Sequence, residues 1–396
     1  MRMAEIGPGE KGGSRRLALT DEDREGRDLF VEWCKAENCD ITVDDMGNIF
    51  ARRAGSDPVL PPVCAGSHLD TQPHGGKFDG IYGVLAALEA VRTMNENNVQ
   101  TRAPVEIVMW TNEEGSRFAP AMIASGVFAG LFEKDWAWSR SDSDGKTLGD
   151  ELERIGYSGE EKCGEHPMAA LLEAHIEQGP ILEKAENQVG VVVGGQGTRW
   201  YDITVSGQDS HAGSTPMAGR RDALVAASRL IQAVQDIAME FKPDGVGTVG
   251  EMRVMPNSRN TIPGEIFLTV DIRHPDDQTL EAMAARLTGE MDQLRDLPGI
   301  KVHSEEIWHN PAVKFDERCV AAVSGAAEFL GYSNQRIVSG AGHDACQVCR
   351  IVPTSMIFVP CEGGLSHNEE EHAEPADLEA GCNVLLHAML ELAGKP

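Results

Sequence analysis

The chain has 396 residues, 41% of them apolar and 25% charged, with a formal charge of −28. That length exceeds what one core usually serves, so two domains are expected, and the composition excludes a disordered or fibrous protein. The acidic balance disfavours nucleic acid and anionic membranes as partners, and no window approaches the eighteen apolar residues of a membrane span.

The opening stretch, MRMAEIGPGEKGGSRRLALTDEDREG, lacks the apolar centre of a secretion signal, which points to a cytoplasmic protein. TDEDREGRDLFVEWCKAEN follows with helical spacing and a capping Thr20. ITVDDMGNIFARR reads as a hairpin, PVCAGSHLD as a strand and GVLAALEAVRTMNEN as a helix. APVEIVMWTNEEG and LLEAHIEQGP read as further buried strands, the second after a long polar connection at 133–165. This alternation predicts α/β layers around a mostly parallel sheet. Near Gly194 the pattern changes. RWYDITVSGQ, a helix at RRDALVAASRLIQAVQDIAMEF, VGTVGEMRV, EIFLTVDIRH, a helix at PDDQTLEAMAARLTGEMDQL and KVHSEEIWHN follow in the order β-α-β-β-α-β of a ferredoxin-like unit. From about 310 the first style returns, with helices at DERCVAAVSGAAEFLG and 375–393 around a strand at SMIFVP. A domain at 197–309 is thus expected to interrupt one built from 1–196 and 310–396. The nine cysteines are scattered and odd in number, as in a reduced protein. Cys346 and Cys349 form a CxxC with no second pair, and read as small core residues.

Five islands carry polar, titratable groups: SHLD (His68, Asp70), KFDG (Asp79), TNEEG (Glu113, Glu114), EAHIEQG (His175, Glu177) and LSHNEEEH (His367). Each alone reads as a surface or core residue; His74 reads as a loop residue, and the run at 369–372 as a solvated charge cluster. Four of the five, however, sit at or just past a strand end, the edge where open α/β sheets bind ligands. Imidazoles and carboxylates converging there suit Zn²⁺ or Mn²⁺. The lack of cysteine among them favours a hydrolytic site over a structural one.

These motifs also resemble a known family. GSHLDTQPHGGKFDGIYGVLAALE, TNEEGSRFAPAMIASGVFAG, EAHIEQGPILE, SHAGSTPMAGRRDA, SGAGHDA and MIFVPCEGGLSHNEEE are similar, in order and over nearly the whole chain, to the amidohydrolase branch of the M20 metallopeptidases. That branch holds N-carbamoyl-L-amino-acid hydrolases, β-ureidopropionases and allantoate amidohydrolases. The resemblance implies a zinc-peptidase-like α/β catalytic domain with an inserted ferredoxin-like lid and dimerisation domain, and hence a homodimer that closes on substrate.

By position, the resemblance implies two divalent ions per subunit (Zn²⁺, Mn²⁺, Co²⁺ or Ni²⁺). Asp79 would bridge them, His68 and His175 would complete one, and Glu114 and His367 the other. Asp70 would accept the second imidazole N–H of His68. Glu113 would be the general base. His211 would stabilise the oxyanion, often from the partner subunit. Asn260 and Arg273 would bind a substrate carboxylate, for which an Arg fork is well shaped. Gln196 would contact substrate, and Gly364 would offer it a backbone N–H. The implied reaction is hydrolysis of the carbamoyl C–N bond of an N-carbamoyl-L-amino acid or N-carbamoyl-β-alanine. The alternatives are an allantoate amidohydrolase, a dipeptidase or aminoacylase, and a binding protein without catalysis on the same fold.

Overall fold

The structure is a computed structural model that describes residues 2–395. The chain forms two compact units, Met1–Gly194 with Lys314–Pro396, and Gly195–Val313. Among the described residues no helix is long and apolar enough to cross a membrane.

The larger unit is built on a mixed sheet. Its strands run in the order Asp40–Val43, Ile49–Arg53, Val105–Trp110, Val63–His68, Ala170–Ile176, Thr354–Val359 and Val189–Gly195, and Asn334–Ser339 also pairs with the last. The four middle strands, Val105–Trp110 to Thr354–Val359, are mutually parallel and every residue in them is buried. This is why they read as mostly apolar runs without alternation: both faces are covered. Each Val, Ile or Leu so buried contributes roughly 1.5–3 kcal/mol. The expected parallel sheet thus holds at the centre, while the margins are antiparallel, through Ile49–Arg53 on one side and Val189–Gly195 on the other. Val189–Gly195 and Asn334–Ser339 went unread because one is four valines broken by three glycines and the other is mostly polar. The connection at 133–165 is not structureless. It carries the helices Lys134–Trp138 and Leu148–Ile155, the latter capped by Thr147, and their Leu148, Leu152 and Ile155 join Phe50, Trp110, Phe118 and Phe128 in one core.

The helix Asp21–Ala36 begins where the Thr20 hydroxyl accepts the Asp23 N–H. Just before it, the N-terminal segment is tied in by Arg16. This buried guanidinium donates to the carbonyls of Met3, Ile6 and Leu69. Ser14 and Gly75 exchange backbone hydrogen bonds, which brings that segment beside the loop after the strand Val63–His68.

The smaller unit is a four-stranded antiparallel sheet in the order Lys301–Asn310, Gly197–Ser206, Glu265–His274, Val246–Met255. Helices Ala223–Glu240 and Asp277–Arg295, each capped by an aspartate, supply its core with Ala227, Leu230, Val234, Leu280, Met283 and Leu287. Strict alternation of burial along Glu265–His274 shows that only one face of the sheet is covered. This is the strand order of the ferredoxin-like arrangement.

Candidate metal centre

The parallel strands deliver two imidazoles to one sheet edge. His68 ends the strand Val63–His68, and His175 is the penultimate residue of the adjacent Ala170–Ile176. Asp79 arrives on the turn before the helix Ile81–Glu96. One ligand atom from each of His68, Asp79 and His175 lies within 4.8 Å of the others, and all three residues are buried. The Nδ1 of His68 is 2.9 Å from the Asp70 carbonyl and that of His175 is 2.9 Å from the Ile176 carbonyl. The hydrogen-bond network therefore places the proton on Nδ1 in each ring; His175 Nε2 accepts the Gly80 N–H at 3.0 Å, and against burial the hydrogen bond and charge of Asp79 raise its pKa to about 9. The Nε2 atoms of His68 and His175 are 3.6 and 3.2 Å from Asp79 Oδ1. Burial, against the pull of Asp79, lowers the His68 pKa to about 4, so this ring stays neutral and able to ligate. The helix must start on Gly80, whose φ is 70° and where a Cβ would overlap the His68 ring.

A second group of donors shares Asp79. Its Oδ2 is 3.4 Å from His367 Nε2, which is 3.5 Å from Glu114 Oε2. Ligand atoms of Asp79, Glu114 and His367 also lie within 4.8 Å of one another. The first group is the inner one; the second is outer, since the His367 side chain is 51% exposed. Two imidazole–carboxylate sets joined by one aspartate are a nitrogen and oxygen donor set that fits Zn²⁺ or Mn²⁺.

Glu113 and Glu114 sit on the turn just past Trp110. Glu113 Oε2 is 3.5 Å from His68 Nε2. Burial, and then the negative charges of Asp344, Glu114, Asp70 and Asp79, raise the Glu113 carboxyl well above its ordinary range. Asp70 departs from its expected role. Its carboxylate is 3.8 Å from His68 Nδ1, and it is the Asp70 main-chain carbonyl that holds the ring. The carboxylate instead accepts the backbone N–H groups of Glu113 and Glu114, both at 3.2 Å. Its position two residues beyond the strand end carries it past the imidazole to the neighbouring turn.

Other residues at the site escaped the sequence reading. Gln72 grips the Glu114 carboxylate with its backbone N–H (3.0 Å) and side-chain amide (2.7 Å). Gln178 Nε2 donates to Asp79 Oδ2 at 2.9 Å. Buried His343 packs edge-on against His175, with ring centroids 4.5 Å apart, and Glu173 accepts from Ser67 and from the Ala345 N–H. The expected charge cluster at 369–372 is in part a misreading. Glu371 is buried and accepts the N–H groups of Phe78 and Asp79. His74 is an exposed loop residue beside Glu369.

Gly364, expected to offer its N–H to substrate, lies in the short turn Glu362–Gly364, where that N–H donates to the Cys361 carbonyl at 3.0 Å. The remaining candidates belong to the smaller unit. His211 ends the two-residue strand Ser210–His211, where it lies opposite Thr261 of the strand Thr261–Ile262, and Ala212 N–H donates to the Asn260 carbonyl, which sets His211 and Asn260 side by side. His211 Nδ1 accepts the N–H groups of Gly213 and Ser214 at 3.0 and 3.1 Å, so the proton is on Nε2. Asn260 Oδ1 accepts from the Ser258 hydroxyl. Arg273 lies on the sheet strand Glu265–His274, where Nη2 pairs with Asp271 at 2.7 Å. Gln196 keeps a buried side-chain oxygen with no hydrogen-bond partner.

Comparison with known proteins places this arrangement. The family model described as Peptidase family M20/M25/M40 matches residues 64–391. An N-carbamoyl-L-amino-acid amidohydrolase of Rhizobium meliloti is 51% identical over 393 residues, 99% of this chain and 94% of that protein. An allantoate amidohydrolase of Bacillus subtilis (strain 168) is 33% identical over 393 residues, 99% and 95% of the two chains. The crystal structure of an amidase of the hydantoinase/carbamoylase family from Burkholderia multivorans is similar with a TM-score of 0.97 and 56% identity, over 100% of this chain and 96% of that one. A match that takes in both parts of the larger unit, with relatives that run the whole length, makes this chain a member of peptidase family M20/M25/M40.

Proposed function

We propose that this protein is a hydrolase with two metal ions that cleaves the carbamoyl C–N bond of N-carbamoyl-L-amino acids or N-carbamoyl-β-alanine. One water would yield the free amino acid, carbon dioxide and ammonia. The reading is carried by the two donor groups that meet on Asp79 in a chain 51% identical, along its length, to an N-carbamoyl-L-amino-acid amidohydrolase.

His68, Asp79 and His175 would hold one ion and Asp79, Glu114 and His367 the other. When bound, divalent ions of this kind polarise a carbonyl and acidify water. Glu113, 3.5 Å from His68 Nε2 and beside the donor groups, takes the proton of the attacking water at its carboxylate and returns it to the leaving nitrogen. Asp70 keeps Glu113 in place by holding the backbone of its turn. The Nε2–H of His211 is assigned to the charge that develops on the carbamoyl oxygen, and Asn260 and Arg273 to the substrate carboxylate, with Gln196 as a further contact. For His211 the support is the match of SHAGSTPMAGRRDA, and for Asn260, Arg273 and Gln196 it is their position in the family resemblance. We also infer a cytoplasmic homodimer joined through the smaller unit. Its edge strand Val246–Met255 leaves Val246, Met252 and Met255 exposed.

The relative from Bacillus subtilis raises allantoate as a second substrate, on the same donor set. The test is ammonia release by protein stripped with a chelator and reloaded with Mn²⁺, Co²⁺, Zn²⁺ or Ni²⁺. The panel holds N-carbamoyl-L-amino acids, their D forms, N-carbamoyl-β-alanine and allantoate. Turnover of the L-carbamoyl compounds, lost on stripping and restored on reloading, is expected. Faster turnover of allantoate would favour the second reading, and no turnover of any ureido acid would refute the assignment.

A further inference from the structure

The two donor groups are held in different ways. In the inner group, His68 is paired with Trp110 and His175 with Phe358 in the parallel ladders of their strands. In the outer group, Glu114 stands on a turn, and His367 stands on a loop outside any strand or helix, with φ of 53°. Something other than a strand must fix that loop relative to Asp79.

The buried carboxylate of Glu371, 4% exposed, does so. Its Oε1 accepts the backbone N–H groups of Phe78 (3.0 Å) and Asp79 (3.1 Å), on the loop that carries the shared aspartate. Its Oε2 is 3.0 Å from the Ser366 hydroxyl, adjacent to His367, and that hydroxyl is also 3.0 Å from Asp79 Oδ2. The fit is close, since a Cβ on Gly76 would overlap the Glu371 carboxylate. Two residues earlier, Glu369 accepts the N–H groups of Lys11 and Gly13, so the same loop is also tied to the N-terminal segment.

We propose that Glu371 is a positioning residue for the outer metal position: it joins the His367 loop to the Asp79 loop and touches neither ion nor substrate. The inference rests on the two-metal reading above. A glutamine at 371 can lay its carbonyl on the same two N–H groups and turn its amide toward Ser366. An alanine can do neither, while the ladders that hold the inner group are untouched.

The experiment is Mn²⁺ binding to metal-free wild type, Glu371→Gln and Glu371→Ala, by calorimetry and chelator competition, with circular dichroism to check the fold. Wild type should take up two equivalents. Glu371→Ala should bind the first with unchanged affinity and the second roughly tenfold to hundredfold more weakly, as is typical when a group behind a ligand is lost. Glu371→Gln should restore the second equivalent. In steady state, the Glu371→Ala defect should shrink as free Mn²⁺ is raised, while wild-type circular dichroism of the metal-free variant excludes rescue by refolding. Wild-type binding of both equivalents by Glu371→Ala would overturn the inference and leave the two-metal reading standing. So would loss of both equivalents together, or a Glu371→Gln variant as weak as the alanine. Fewer than two equivalents in wild type would sink the two-metal reading itself, and the inference with it.

Discussion

Glu113 and Glu114 are neighbours on one turn, yet the backbone sends their carboxylates to different places. Glu114 faces His367 and is gripped by Gln72, whereas Glu113 lies against the His68 ring and has its N–H held by Asp70. Only the first is placed among the outer donors. Glu113→Gln should therefore lower kcat by roughly 10²- to 10⁴-fold, the span typical for a lost general base. Mn²⁺ stoichiometry should stay at the wild-type value, and elemental analysis alongside steady-state kinetics checks both. A Glu113→Gln protein that lost an ion as well would mean that Glu113 is a ligand. At this scale the sequence was informative wherever a polar residue followed an apolar run, as with His68, His175 and Glu113. It was silent on Glu371, the third acid of an exposed-looking EEE run. The partners that bury it, the N–H groups of Phe78 and Asp79, lie almost three hundred residues away, and no local pattern reports them.

Among the elements, the parallel strands were the most legible, because burial on both faces leaves them mostly apolar. One exception is Glu106, buried within Val105–Trp110. It is balanced by Arg52 at 2.9 Å and by His166 Nε2 at 2.7 Å, and the His166 ring stacks on Phe50 and also reaches Glu161. Burial disfavours charge on His166, but the hydrogen bonds and charges of Glu106 and Glu161 outweigh it and raise its pKa. A raised folded-state value means that the stabilisation is complete below the ordinary histidine value, about 6.5, and is lost as pH climbs through the folded one. His166→Gln should accordingly lower stability by about 1–2 kcal/mol at pH 6 and by less at pH 9. Urea unfolding at both pH values, with saturating Mn²⁺, measures the difference; an equal loss at the two would rule out a charged His166. Two further strands were harder to read: Val189–Gly195 is broken by three glycines and Asn334–Ser339 is mostly polar, and their pairing is set by the sheet they join.

For the molecule as a whole, the smaller unit was read from its βαββαβ order, and its antiparallel sheet with one covered face agrees. Its open edge also bears on assembly. With Val246, Met252 and Met255 exposed on an outer strand, a lone subunit would carry an unprotected, partly apolar edge despite its charge of −28. Sedimentation equilibrium at micromolar concentration should return twice the 42.8 kDa chain mass, and Met252→Lys together with Val246→Lys should shift it toward one chain. A wild type that sediments as a single chain would refute the dimer.

The strand Thr354–Val359 has another consequence. It pairs with Ala170–Ile176 on one side and Val189–Gly195 on the other, so a late stretch of chain completes the middle of a sheet whose earlier strands were made long before. During synthesis the Gly195–Val313 unit has all its strands in hand while the larger unit still waits with a gap between two buried strands. Completion is by insertion into that gap, so the buried strands on either side keep open edges until Thr354–Val359 has been made.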